Sequence, residues 1–217
     1  MKITDPAELS PQKIKNIVFD WGGVLINIDY QATVNAFKAL GVDNFDQHFA
    51  QAQQRELFDQ LETGAISPDA FRKGIREEFG DFITDQQMDA AWGAMLLDIP
   101  SHRIETLKAL RKKYRIFLLS NTNQIHEDQL MEGLNAALGF EFFSLFEKVY
   151  LSHRVGMRKP HTAIFDLVVK ENGLIKEETL FIDDSEQHVN GAVKAGLHAF
   201  HLQPGMETSE IFRLWTE

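Results

Sequence analysis

"IVFDWGGVLIN", residues 17–27, is the stretch from which the fold of this 217-residue chain can be read. An apolar run ends on Asp20, two glycines follow, and apolar residues then resume. Apolar residues at consecutive rather than alternate positions suit a strand covered on both faces. The run begins at "IKNIVFD" (14–20), and four others share its character: "RIFLLS" (115–120), "EKVYLS" (147–152), "ETLFID" (178–183) and "HAFHLQ" (198–203). Helical patterns separate the last four. "SHRIETLKALRKKY" precedes the second run, "HTAIFDLVVKENG" ends on Gly173, and "SEQHVNGAVKAG" ends on Gly196. Strand–helix alternation of this kind predicts an α/β fold with a doubly wound parallel sheet.

Residues 30–97 depart from that rhythm. They hold no convincing strand and read as several amphipathic helices. "SPDAFRKGIREEFG" offers Ser67 as N-cap, Pro68 at the first helical position and Gly80 as stop, and Thr84 with Gln87 has capping-box spacing. The expectation is a core of residues 1–29 and 98–217 with a helical insertion at 30–97. Phe45, Phe49, Phe58, Phe71, Phe79 and Trp92 are mostly expected in the core of that insertion. "FDQLETGAIS" (58–67) is expected to face the other domain, with Gly64 in its turn.

The formal net charge is −10, from 22 basic and 32 acidic residues. That argues against a nucleic-acid partner, since affinity for phosphate backbones comes from cationic side chains. With no cysteine, disulfides, thiolate metal sites and a cysteine nucleophile are excluded. No stretch approaches about 18 uninterrupted apolar residues, and "MKITDPAELSPQ" has no apolar leader region, so a cytoplasmic protein with no membrane partner is expected. Nothing in the pattern points to an oligomeric state.

In a doubly wound sheet, ligands bind at the carboxyl ends of the strands. The first run ends in Asp20 and the second in Ser120 and Asn121. After the third comes "SHRVGMRKP", with His153, Arg154, Arg158 and Lys159, and the fourth ends in Asp183 and Asp184. Two adjacent carboxylates at the end of a buried strand repel one another unless a cation or hydrogen-bond donors compensate. Carboxylates, a hydroxyl with an amide, and a cation are thus expected to converge on one sheet edge.

These motifs, "IVFDWGGVL", "LLSNT", "GMRKP" and "FIDDS", resemble in order and spacing the haloacid dehalogenase-like (HAD) hydrolase superfamily. The helical insertion resembles the cap of its C1-capped members, and the wording is similar to the branch that includes α-D-glucose-1-phosphate phosphatase. The resemblance implies a phosphatase of a small phosphorylated metabolite, expected to be a sugar phosphate. Asp20 would be the nucleophile, forming an aspartyl-phosphate. Mg²⁺ would sit on Asp20, the Gly22 carbonyl and Asp184, with Asp183 a water-mediated or outer partner unless the two acids exchange roles. Ser120 and the amide of Asn121 would hold phosphate oxygens, and Lys159 would pair with both phosphate and Asp20. Gly22 and Gly23 are expected to supply backbone angles closed to other residues.

One departure from the family pattern is plain. Many relatives carry an acid two positions after the nucleophile, and here that position is Gly22, which has no proton to give. A good leaving group, metal-bound water, Asp29 or His48 are the substitutes to weigh, the plain reading of Asp29 and His48 being a cap or surface role. His153 reads as a loop residue with substrate as the alternative. A 2-haloacid dehalogenase using the same aspartate without metal, and a catalytically weak phosphate-binding protein, are the competing functions.

Overall fold

The computed structural model describes residues 2–3, 11–43, 45, 49–50, 53–54 and 56–216; for 2–3, 49–50 and 53–54 only the backbone is described. Its strands are β1 (Lys2–Ile3), β2 (Asn16–Phe19), β3 (Phe49–Ala50), β4 (Gln53–Gln54), β5 (Arg115–Ser120), β6 (Lys148–Leu151), β7 (Thr179–Asp183) and β8 (His198–His201). Six of them form one sheet in the order β1-β8-β7-β2-β5-β6, all parallel. All five expected strands are present, and β1 adds a short edge that the apolar pattern did not announce. From β2 the chain winds outward through β5 to β6, then crosses back to β7 and β8. The winding therefore reverses between β2 and β7. Loops on either side of such a reversal diverge and leave a crevice at the strand ends.

The block between β2 and β5 contains α1 (Tyr30–Ala39), α2 (Glu56–Glu62), α3 (Pro68–Phe79) and α4 (Asp85–Gly93). Ser67 accepts from the Ala70 N–H, Gly80 ends α3 with φ 109°, and Thr84 and Gln87 form the reciprocal capping box. The two-residue pairing of β3 with β4 departs from the all-helical expectation. Phe45, Phe58, Phe71 and Trp92 lie with Phe37 and Met88 in a cluster of their own, with Phe79 packed against it. The Phe49 side chain, like all of His48, lies outside the described residues. Apart from Ile125, every fully buried member of that cluster comes from residues 34–95. The two connections to the sheet run side by side: Asn27 N–H bonds Asp98 O at 2.9 Å, Leu97 N–H bonds Asn27 O at 3.0 Å, and Asp29 N–H bonds Met95 O at 3.0 Å.

The remaining helices are α5 (Ser101–Leu110), α6 (Gln124–Leu138), α7 (Ser152–Val155), α8 (Thr162–Asn172), α9 (Glu186–Lys194), α10 (Thr208–Ile211) and α11 (Arg213–Thr216). Successive side chains of a strand point to opposite faces. Ile17, Phe19, Ile116, Leu118, Leu180 and Ile182 accordingly pack on one face with α5 and Trp215 of α11. Val18, Phe117, Leu119 and Phe181 pack on the other with α8 and α9. Both faces being covered is the reason the strands read as unbroken apolar runs. Among the described residues no helix is long and apolar enough to cross a membrane.

Candidate active site

The end of β2 is tied to β7 by a bond from the Asp20 N–H to Ile182 O, 2.9 Å. The chain then folds back tightly, Leu25 and Ile26 donating to Trp21 O and Gly23 to Ile26 O. Gly23 sits at φ 71°, and a Cβ there would fall 2.2 Å from Asp184 Oδ2. The second glycine is needed both for its backbone angle and to let the Asp184 carboxylate lie against the chain. Gly22 corrects the expectation for the pair, since it is not among the positive-φ glycines. Its constraint is a neighbour, Ile28 Cγ1, 3.2 Å from where a Cβ would stand.

Lys159 is wholly buried, its Nζ 2.7 Å from Asp20 Oδ1 and 2.6 Å from Asp183 Oδ2. Asn121 holds it in place, accepting from the Lys159 N–H at 2.9 Å and donating to its carbonyl at 3.0 Å. The Asn121 side chain thereby spends its oxygen and one of its two amide hydrogens on the lysine backbone. Asp183 also accepts from the Ser185 N–H and meets His188 Nδ1, 3.0 Å from one oxygen and 3.1 Å from the other.

Charge at this edge does not balance. Asp20, Asp183 and Asp184 face one lysine, and a buried carboxylate without full compensation resists ionisation. Burial, and after it Asp183, raise the Asp20 carboxyl well above its ordinary range against the pull of Lys159. The same causes push Asp184 up to about 6. Burial works against the Asp183 charge too, but Lys159 and His188 outweigh it and hold that carboxyl low. Asp20, Asp183 and His188 offer ligand atoms within 4.8 Å of one another, yet the Lys159 ammonium already bridges the two carboxylates. The under-compensated pair is Asp20 and Asp184, an all-oxygen donor set suited to a hard divalent cation.

Asp20, Gly22, Ser120, Asn121 and Asp184 line one cavity, with Lys159 and Asp183 packed behind Asp20. The strand-end residues expected at the site are therefore brought together. The facing wall comes from the insertion: Tyr30, Glu62, Trp92, Met95 and Leu96. The expectation that 58–67 faces the other domain holds for Glu62, at the end of α2; Tyr30, Trp92, Met95 and Leu96 were not singled out for the site, because each sits in an ordinary amphipathic helix or connection. His126 and His188 were missed as well. His126 stacks on Trp92 at 4.9 Å and faces its carbonyl at 3.1 Å, and burial lowers its pKa to about 4. Asp29 is the N-cap of α1, accepting from the Gln31 N–H at 2.9 Å, which bears out the plain reading. His153 is neither a free loop residue nor among the residues lining this cavity. It belongs to α7 and faces Glu127 at 3.1 Å and Thr122 O at 3.2 Å.

A family model for haloacid dehalogenase-like hydrolases matches residues 14–196. The chain belongs to that family. A D-ribitol-5-phosphate phosphatase of Bacteroides thetaiotaomicron is 33% identical over 194 residues, 89% of this chain and 94% of the relative. A HAD family enzyme of the same organism, solved as wild-type protein with magnesium and inorganic phosphate, superposes with a TM-score of 0.85 at 40% identity, covering 92% of this chain and 100% of the other. A sesquiterpene phosphatase of Aspergillus oryzae is 25% identical over 203 residues, 89% of this chain and 92% of the relative. This HAD hydrolase thus has relatives that share a phosphatase name but differ widely in what the phosphate is attached to.

Proposed function

We propose that the protein is a magnesium-dependent phosphatase of a small phosphorylated metabolite, a sugar or polyol phosphate, acting through an aspartyl-phosphate on Asp20. The observation that carries this reading is the Asp20 carboxylate held 2.7 Å from a fully buried lysine, in a cavity with more carboxylates than cations. The relatives named for phosphatase activity, and the similar enzyme solved with magnesium and phosphate, support it.

In this reading Asp20, Asp184 and the Gly22 carbonyl hold the metal, and Asp183 acts from outside by fixing Lys159. Bound there, magnesium would neutralise charge on the phosphoryl oxygens and so ease attack by an anion. Ser120 and the Asn121 N–H hold two phosphate oxygens, and the Lys159 ammonium offsets the repulsion between Asp20 and the incoming dianion. An Asp20 oxygen bonds to phosphorus as the phosphorus–oxygen bond to the sugar breaks. Asp29 is engaged in capping and Gly22 has no side chain, so the leaving oxygen takes its proton from water. A second water then attacks the aspartyl-phosphate, releasing inorganic phosphate and restoring Asp20. Residues 30–97 serve as the cap that covers the substrate, hinged on the paired segments beside Asn27 and Leu97.

Phosphate release from p-nitrophenyl phosphate and from a panel of sugar and polyol phosphates tests the reading. Activity should require Mg²⁺, vanish with EDTA, and fall by roughly three orders of magnitude or more in Asp20→Asn. Turnover of 2-chloropropionate surviving EDTA would assign dehalogenase chemistry instead.

A further inference from the structure

Beyond its phosphoryl end the cavity has a second charged wall. Arg158, one residue before Lys159, reaches across to the insertion. Its Nη2 lies 3.0 Å from Glu62 Oε2, and its Nη1 pairs with Asp59, one turn earlier on α2. The side chains are largely covered, Arg158 being 18% and Glu62 12% exposed. Both line the same cavity as Asp20, with Tyr30 alongside. Among the described residues, one guanidinium here meets two carboxylates. Tyr30 brings a phenolic hydroxyl, a hydrogen-bond donor at neutral pH. Acceptor and donors are thereby set side by side, a pattern that matches hydroxyl groups, which both give and take hydrogen bonds. Next to them, Trp92 and Met95 supply an apolar surface suited to the C–H face of a carbon chain.

We propose that Glu62, Arg158 and Tyr30 read the leaving group, and that they select a neutral polyhydroxylated one over a leaving group with a second anion or a plain alkyl chain. The assignment rests on the phosphatase reading and sharpens it. A second carboxylate or phosphate would approach Glu62 with Arg158 already neutralised by its two partners, and like charges there repel. An alkyl chain would strip water from the ion pair and Tyr30 without replacing its hydrogen bonds. Glu62 and Arg158 come from different domains, so the reading site exists only when the insertion lies against the sheet edge.

The test compares D-ribitol 5-phosphate with n-pentyl phosphate, its counterpart without hydroxyls, and with phosphoglycolate, using the Mg²⁺-loaded protein. Wild type should favour the polyol over the alkyl ester in kcat/KM by roughly 10- to 100-fold, carried mainly by KM. Glu62→Ala should collapse that ratio to within about threefold. Glu62→Gln keeps the shape and removes the charge, and it should raise kcat/KM on phosphoglycolate about tenfold; it also carries the test if Glu62→Ala does not fold. A wild-type ratio near one, or a ratio unchanged in both variants, overturns the assignment while p-nitrophenyl phosphate hydrolysis leaves the phosphatase reading standing. If wild type releases phosphate from none of these esters, that reading falls and takes this one with it.

Discussion

The sheet edge and the helical insertion meet across one cavity, and they reach it by different means. On the sheet side Asp20, Ser120, Asn121, Asp183 and Asp184 stand at or just past the ends of parallel strands, and Lys159 comes from the turn between α7 and α8, held by Asn121. Asp20, Ser120 and Asp183 are fixed by the same hydrogen bonds that make β2, β5 and β7 a sheet. On the facing side Tyr30, Glu62 and Trp92 come from three helices whose cohesion is a separate aromatic cluster. The sheet edge is thus rigid and crowded with charge, whereas the opposite wall can be repacked without touching the chemistry.

Lys159→Met puts the contrast to its hardest test. Removing the ammonium leaves Asp20 and Asp183 buried without their shared cation, an effect typically worth about 3–5 kcal/mol. Chemical denaturation should register that loss, and phosphate release should fall below detection. A variant as stable as wild type would show that the sheet edge is not held by its charges.

His126 lies where the two regions touch. Its pKa is lowered to about 4 from an ordinary 6.5, so the folded protein favours the neutral ring. The stabilisation is complete above about pH 6.5 and lost as pH falls toward 4, amounting to at most about 3 kcal/mol. Thermal melts from pH 7 to 4.5 should fall more steeply for wild type than for His126→Gln. Parallel curves would place the ring in a wetter setting than its stack on Trp92 implies.

A gentler probe is Gly64, which has φ 67° and whose absent Cβ would lie 2.2 Å from His153 O. Gly64→Ala should cost about 2 kcal/mol and raise KM, because the loop can no longer press on α7. An unchanged KM would mean that closure does not depend on this contact. The smallest effect belongs to the surface of the insertion. Lys73 pairs with Glu77 at 3.6 Å, both well exposed, and Lys73→Ala should cost about 0.5 kcal/mol or less in a denaturant melt with activity intact.

Much of this molecule was legible before any coordinates. Consecutive apolar residues at 17–19, 116–119 and 180–182 required a sheet buried on both faces, because no other arrangement hides side chains that point alternately up and down. Strand-end polar residues then had to share one edge once the strands ran parallel, and Ser67, Thr84 and Gly173 marked their helix ends through local backbone chemistry. For the long helix α6 the pattern marks a separator between the second and third strands without its bounds, and its apolar face is shallow, with Leu130, Leu134 and Leu138 only partly buried. Only the tertiary structure decided that Gly22 answers to Ile28 rather than to its own φ, that the Asn121 side chain braces the Lys159 backbone, and that Arg158 crosses to Asp59 and Glu62. The last two join residues far apart in the chain, with sequence separations of 38 and up to 99. Hydrophobic periodicity records which side of an element is buried, whereas the identity of the neighbour across a domain boundary is set by how two independently cored units dock.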